Sequence, residues 1–327
     1  MTYRFKLQEP IAEGVRRIGL EQIEMAEAEL AGQEDAARAI HNARRCLKRL
    51  RALLRLVRPG LEDDVYRKEA EHLAGIGRLL SDARDGHVMG VTLGKLESLP
   101  DTKLPPGTAG RLRKLLASGG ARKVRAVGGP DGRRPALARL KPARKLFAGK
   151  AVAAVAFEHV RKGLELAYRK GRKAFRTAYD HPSDQSFHTW RKSVQLHWRH
   201  TFLLSRGWPD VLSARAAEGR ELSRLLGEDH DYAILRAFAE THGGSSLRAD
   251  DRAALAALCR RCQDQLRAEA EPRGARLFAE SAGNLEERIA RYWASATRLA
   301  AVVSPREPAV ERRKSGPRLK RQRRAVA

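Results

Sequence analysis

His41, Arg44, Arg45 and Lys48 follow one another at i, i+3, i+4 and i+7. On a helix turning about 100° per residue these side chains share one face, which Arg55 prolongs and Arg49 and Arg51 flank. The opposite face carries Cys46, Leu47, Leu50, Leu53, Leu54 and Val57, an apolar stripe of helical period. No acidic residue stands between Ile40 and Gly60, so the cations repel one another along the ridge. Such a face calls for anions from elsewhere. Arginine offers phosphate a planar fork of two parallel hydrogen bonds, lysine a mobile point charge. A ring nitrogen of His41 can donate beside them, and a neighbouring phosphate raises the histidine pKa.

The pattern returns in Phe187–Leu204, where His188, Arg191 and Lys192 repeat the spacing of His41, Arg44 and Arg45, 147 residues on. A second pair of blocks, Arg78–Asp85 (RLLSDARD) and Arg224–Asp231 (RLLGEDHD), stands 146 residues apart. Two matched blocks at nearly constant separation mark a duplicated helical unit. The copies are unequal: Gln195 and Leu196 stand where the first has Lys48 and Arg49, and Arg199, on the face of His188, compensates.

These blocks resemble the CHAD family, whose hallmark is a duplicated helix opening His-x-x-Arg followed by bases, with a Leu-Leu-(Gly/Ser)-x-x-x-Asp block one helix later. The resemblance spans roughly residues 9–299. It implies an all-α fold of two pseudo-symmetric four-helix bundles, with a basic surface for inorganic polyphosphate and no established catalysis; no cofactor is expected, and the expected partners are polyphosphate granules and granule-associated proteins.

The formal net charge of +26 on 327 residues independently demands a polyanionic partner. It is unevenly placed. Residues 1–100 hold 17 Lys/Arg against 16 Asp/Glu, whereas residues 101–150 hold 14 against 2 and residues 305–327 hold 9 against 2. Three cysteines give no disulfide framework, which fits a reducing cytoplasm. The first ten residues lack an apolar signal core, and no run is long enough to span a bilayer, so no membrane partner is expected.

The elements that position the ridges are read from period and punctuation. Residues 1–100 form a first bundle: helices at Glu9–Leu30, with an acidic outer face, at the ridge, at Leu61–Leu80 and from Ser81 or Asp82 to Leu99. Residues 101–150, broken by Pro105-Pro106, Gly119-Gly120 and Gly128-Gly129-Pro130, read as a loose basic connector with short helices at most at Thr108–Ala117 and Ala136–Phe147. Residues 151–304 form the second bundle. It opens with a helix at Ala151–Tyr179 that brings Lys170 and Lys173, with Arg161, Lys162, Arg169, Arg172 and Arg176, near the second ridge. The ridge helix, capped by Ser183 or Asp184, is followed by helices at Val211–Leu226 and Asp231–Glu240, then Arg248–Ala270 and Leu285–Leu299. Residues 305–327 read as a disordered basic tail.

Other chemistries are weaker. His197 falls on the apolar face, where a buried neutral ring is expected. A metal-dependent phosphohydrolase would join His197 or His200 to His230-Asp231, but the first copy has Arg84-Asp85 there, and arginine ligates no metal. Cys259 and Cys262 form a lone CxxC inside a helix, two ligands short of a structural zinc. Asp85 and Asp231 suit orienting an arginine or capping a helix, with no nucleophile beside them. There is no Walker A pattern and no ExExK signature of CYTH triphosphatases. Trp190, Trp198 and Trp208 do not interleave with bases on one face, as a single-stranded nucleic-acid platform requires. Sequence-nonspecific nucleic-acid binding through connector and tail remains the alternative that charge alone supports.

Overall fold

The computed structural model describes residues 3–32, 35–80, 82–100, 104–126, 133–244 and 246–303. Among them are eleven α-helices and no strand. They are α1 (Ile11–Ala31), α2 (Ala36–Val57), α3 (Asp63–Leu79), α4 (Asp82–Glu97), α5 (Thr108–Ala126) and α6 (Arg133–Ala148). The second half holds α7 (Phe157–Asp180), α8 (Asp184–Leu203), α9 (Pro209–His242), α10 (Ala249–Leu277) and α11 (Ala282–Val303). The protein is all-α, as the patterning predicts.

The ridge helix α2 starts where Asp35 accepts a hydrogen bond from the Ala37 N–H, 2.9 Å, which satisfies one of the free donors of the first turn. A 3-10 turn at Arg58–Gly60 ends it at the proline. Its leucine stripe is fully enclosed: Leu50, Leu53, Leu54, Leu56 and Val57 are at most 1% exposed. α8 is capped by Ser183, whose hydroxyl accepts from Ser186 N at 3.1 Å. Trp190, Val194 and Phe187 carry its buried face.

α1, α2, α3 and α6 pack together, α7 to α10 follow as successive neighbours, and α11 lies on α7. α2 also packs on α7 and α8, so one core runs through both halves, from Leu50 and Leu54 to Val160, Leu164 and Val194. The chain before α1 is strapped across this junction. Phe5 N–H donates to Leu203 O (3.0 Å) and Tyr3 Oη to Arg49 O (2.8 Å).

Three expectations change. Residues 101–150 do not form a loose connector, since α5 and α6 occupy most of it. Ala136, Leu140, Ala143 and Phe147 of α6 are fully buried, and Arg144 reaches Glu27 (2.7 Å) and Glu24 (3.2 Å) of α1. The acidic face of α1, expected to meet solvent, is therefore where α6 docks, and α6 rather than α4 is the fourth helix around α1–α3. α4 and α5 instead close a smaller core with the end of α9 and the start of α10, through Leu93, Leu96, Leu112, Leu235 and Leu255. α5 is pinned there by Asp251 of α10, fully enclosed, which accepts from Thr108 Oγ1 (2.6 Å) and Arg111 (2.8 Å).

The third change lies in the second repeat block. RLLGEDHD sits inside one 34-residue helix, α9, with no break between Leu226 and Asp231. One glycine costs a helix only about 1 kcal/mol. Here Leu225, Leu226, Asp229 and Tyr232 are buried on both sides of Gly227. The expected tail, residues 305–327, lies outside the described residues.

Candidate anion-binding groove

The two ridges meet across a groove of about 1430 Å³ between α2, α7 and α8. α2 contributes Lys48, Arg51 and Arg55, with Arg58 from the following turn. α7 contributes Lys170 and Lys173, and α8 contributes Lys192 and Arg199. The spacings 48/51/55, 170/173 and 192/199 each keep one helix face toward the opening. Small and apolar residues of the same stripes, Leu54, Gly163, Ala167, Ala174 and Leu196, line it between the cations. Among its lining residues the single carboxylate is Asp63, which is exposed and 3.5 Å from Arg58. Eight lysines and arginines thus face one acid, in a site without a wall of neutralising side chains.

A smaller recess of about 210 Å³ opens between α2 and α3, lined by Arg44, Lys48, Arg51, Gly77 and Arg78 among others. Lys48 and Arg51 belong to both, so the recess continues the groove. Arg44 is oriented by donating to Gly77 O at 2.9 Å.

Burial and like charge act against several of these groups. Arg199 is only 9% exposed, and its pKa is pushed down to about 10, first by burial and then by Arg49, Arg191 and Arg45. The pKa of Arg51, a residue exposed on α2, is lowered by partial desolvation and by Arg55. Cations held together at a cost of this kind make the groove a candidate site.

Seven of the thirteen residues singled out from the sequence line the groove: Lys48, Arg51, Arg55, Lys170, Lys173, Lys192 and Arg199. Arg44 lines the recess. His41 and Arg45 are exposed on α2 outside both cavities. Arg49 turns away, donating to Gln22 Oε1 (3.1 Å) with its guanidinium 5.3 Å from the Tyr3 ring. His188 and Arg191 face α9 instead of the opening. The His188 ring lies 4.2 Å from that of His230, and a methyl group on Gly227 would come within 3.9 Å of Arg191 Nε. Burial, with Lys192 and Arg191, lowers the His188 pKa. The His-x-x-Arg opening thus docks the second ridge helix on the block downstream.

Of the other α7 cations, Arg176 is exposed outside the groove and four are occupied elsewhere. Arg161 pairs with Glu286, Lys162 and Arg169 with Glu165, and Arg172 donates to Phe278 O (3.0 Å). Arg58, absent from the expected site, lies seven residues after Arg51 and three after Arg55. The stripe was legible, but the proline stop hid its last member. Arg78 carried no such signal, because only the packing of α3 on α2 places it.

His197 is buried as expected, between the Tyr168 and Phe278 rings, its Nε2 accepting from Arg215 Nε at 3.3 Å. His200 is buried against α2, Nε2 2.9 Å from Ala52 O, and held at a pKa of about 4 by burial. Neither joins His230, and among the described residues no three His, Cys, Asp or Glu side chains converge as metal ligands. Cys259 and Cys262 pack in the smaller core. Asp229 of the second block accepts from Arg267 Nε (2.7 Å), and Asp184 accepts from the same guanidinium (3.0 Å), tying α8, α9 and α10 together.

The buried histidines predict acid sensitivity. A group whose folded pKa lies below its unfolded value of about 6.5 adds stability that is complete above that value and is lost as pH falls toward the folded pKa. For His200 the window runs from about pH 6.5 to 4 and is worth about 3 kcal/mol in all. Urea midpoints measured between pH 7.5 and 4.5 should fall accordingly, and His200→Gln should flatten the slope. An unchanged slope in that variant would remove His200 as the cause.

No helix among the described residues is long and apolar enough to cross a membrane. No curated protein sequence matches the chain. A solved structure, PptA from Streptomyces chartreusis, is similar in fold, with a TM-score of 0.58 at 16% identity, covering 83% of this chain and 100% of that one. The model of the CHAD domain family matches residues 17–240. With about two thirds of its length matched, and with both copies of the His-x-x-Arg helix inside the match, the chain belongs to the CHAD domain family.

Proposed function

We propose that the protein binds inorganic polyphosphate along the groove, without catalysis, and that this binding places it on polyphosphate granules in the cytoplasm. The observation that carries the reading is the set of eight lysines and arginines facing a single carboxylate across three helices. Family membership agrees with it. A flexible chain of phosphates offers repeated charge and no bases, and the groove offers repeated charge, with none of the tryptophans of the second half set in its walls. Trp190 is fully buried, Trp198 lies under the Arg199 guanidinium at 4.2 Å, and Trp208 packs on Tyr292. Lysine and arginine donate hydrogen bonds but accept none, so the eight cations can hold phosphate but do not themselves activate an attacking group.

Competition tests the reading. Long-chain polyphosphate should displace labelled DNA at far lower phosphate-equivalent concentration than DNA displaces labelled polyphosphate. Equal displacement in both directions would favour the sequence-nonspecific nucleic-acid reading instead.

Affinity should also fall steeply with salt. Counterion release gives a log–log slope of about −0.7 to −0.9 per phosphate neutralised, by analogy with nucleic acids. Titrations between 50 and 300 mM salt, run at about constant pH, measure it. A flat response would exclude a site that reads a charged backbone.

A further inference from the structure

Arg199 is the groove cation that the fold encloses most. It is 9% exposed and lines the groove, yet among the described residues it makes no ion pair. Its Nη1 donates to Gln195 O of its own helix at 2.7 Å, and its Nε is buried with no acceptor. On one side lies the Trp198 ring. Burial lowers the Arg199 pKa most; Tyr3, itself a buried phenol, works against it, and three neighbouring arginines lower it further.

At two other enclosed arginines the fold supplies carboxylates. Arg267, 16% exposed at its side chain, bonds to both Asp229 and Asp184, and Arg215, at 15%, lies 3.6 Å from Glu280. Arg199, buried and lining the groove, has no such carboxylate among the described residues. A buried cation without a partner destabilises the folded state until an anion reaches it.

We propose that Arg199 is a deep phosphate seat in the α8 wall, left without a counter-charge in the free protein so that one phosphate of the bound chain supplies it. The proposal rests on the reading that the groove takes polyphosphate. It couples binding to stability: the residue weakens the empty fold and strengthens the occupied one. A residue that merely packs, or that holds α8 in place, has no such pair of opposite effects.

Arg199→Met and Arg199→Gln test it by thermal unfolding with and without long-chain polyphosphate, together with direct binding. Methionine fills the site beside Trp198 without charge, and glutamine retains a donor for Gln195 O. The free variants should melt about 2–4 °C above wild type, the shift about 1 kcal/mol makes in a large domain. Their polyphosphate affinity should fall about tenfold, and the rise in melting temperature on adding polyphosphate should shrink. Two results overturn the proposal: both free variants melting below wild type or failing to fold, or affinity and the ligand-induced rise unchanged. The variant Lys170→Ala/Lys173→Ala/Lys192→Ala is measured alongside. Undiminished binding there defeats the groove reading, whereas a failed seat shows only in the Arg199 variants.

Discussion

Replacing Lys170, Lys173 and Lys192 together by alanine is expected to lower affinity for long-chain polyphosphate by about a hundredfold, with helix content unchanged. All three side chains are exposed and line the groove, on α7 and α8. None of them forms an ion pair with a described residue, so their removal leaves no carboxylate stranded. Each phosphate contact at such a site is worth about 1 kcal/mol, and about 1.4 kcal/mol is tenfold in affinity. Two comparisons give the result its meaning. Deleting residues 304–327, with nine Lys/Arg and two Asp/Glu, removes more net charge and should cost only a few-fold, with selectivity for polyphosphate over DNA intact. Replacing Arg161, Lys162 and Arg169, also three α7 cations, should cost little, because they serve Glu286 and Glu165. Fluorescence titration at a single salt concentration ranks the three. If the tail deletion cost more than the groove triple, the protein would bind as a basic polymer with a helical core attached, and the groove assignment would fall.

The ridge face of α2 was legible in the sequence because leucine and arginine segregate on opposite sides of one helix, and period alone decides that. The α8 ridge was legible because it repeats the first. What the sequence did not yield is the direction each basic residue takes once the helices cross. Arg49 and Lys48 are adjacent in the chain, but only Lys48 opens on the groove; Arg49 meets Gln22 of α1 and Tyr3 of the strap. His188 and Arg191 look like ligands by composition, yet they lie on the side of α8 that meets α9. The α6 error has the same origin. Glycine and proline around residue 130 outweighed a weak apolar period, and the acids that hold Arg144 lie more than a hundred residues earlier. Local pattern gives faces, while tertiary crossing chooses which part of a face is a site.

Gly163 holds that crossing, and Gly163→Ala should show it. A Cβ built there would lie 1.8 Å from Leu56 O, a backbone atom of α2. Real Cβ contacts stay beyond about 3 Å, so the helices must separate by an ångström or more. α7 meets the end of α2 again just before, where Gly60 would clash with the His159 ring at 2.8 Å, so the helix has no free direction in which to yield. Overpacking of a dense interior costs about 1–3 kcal/mol, and a clash with backbone belongs at the upper end. The variant should therefore melt about 5–10 °C below wild type. It should also bind polyphosphate about tenfold more weakly, because Arg51 and Arg55 on α2 then stand farther from Lys170 on α7. Gly94→Ala in α4 is the control: nothing lies within 4 Å of its added methyl group. There the loss of unfolded-state freedom should stabilise by about 0.5–1 kcal/mol. Should the two variants behave alike in a urea titration, α2 and α7 do not approach backbone to backbone, and the walls of the groove are not set by this glycine.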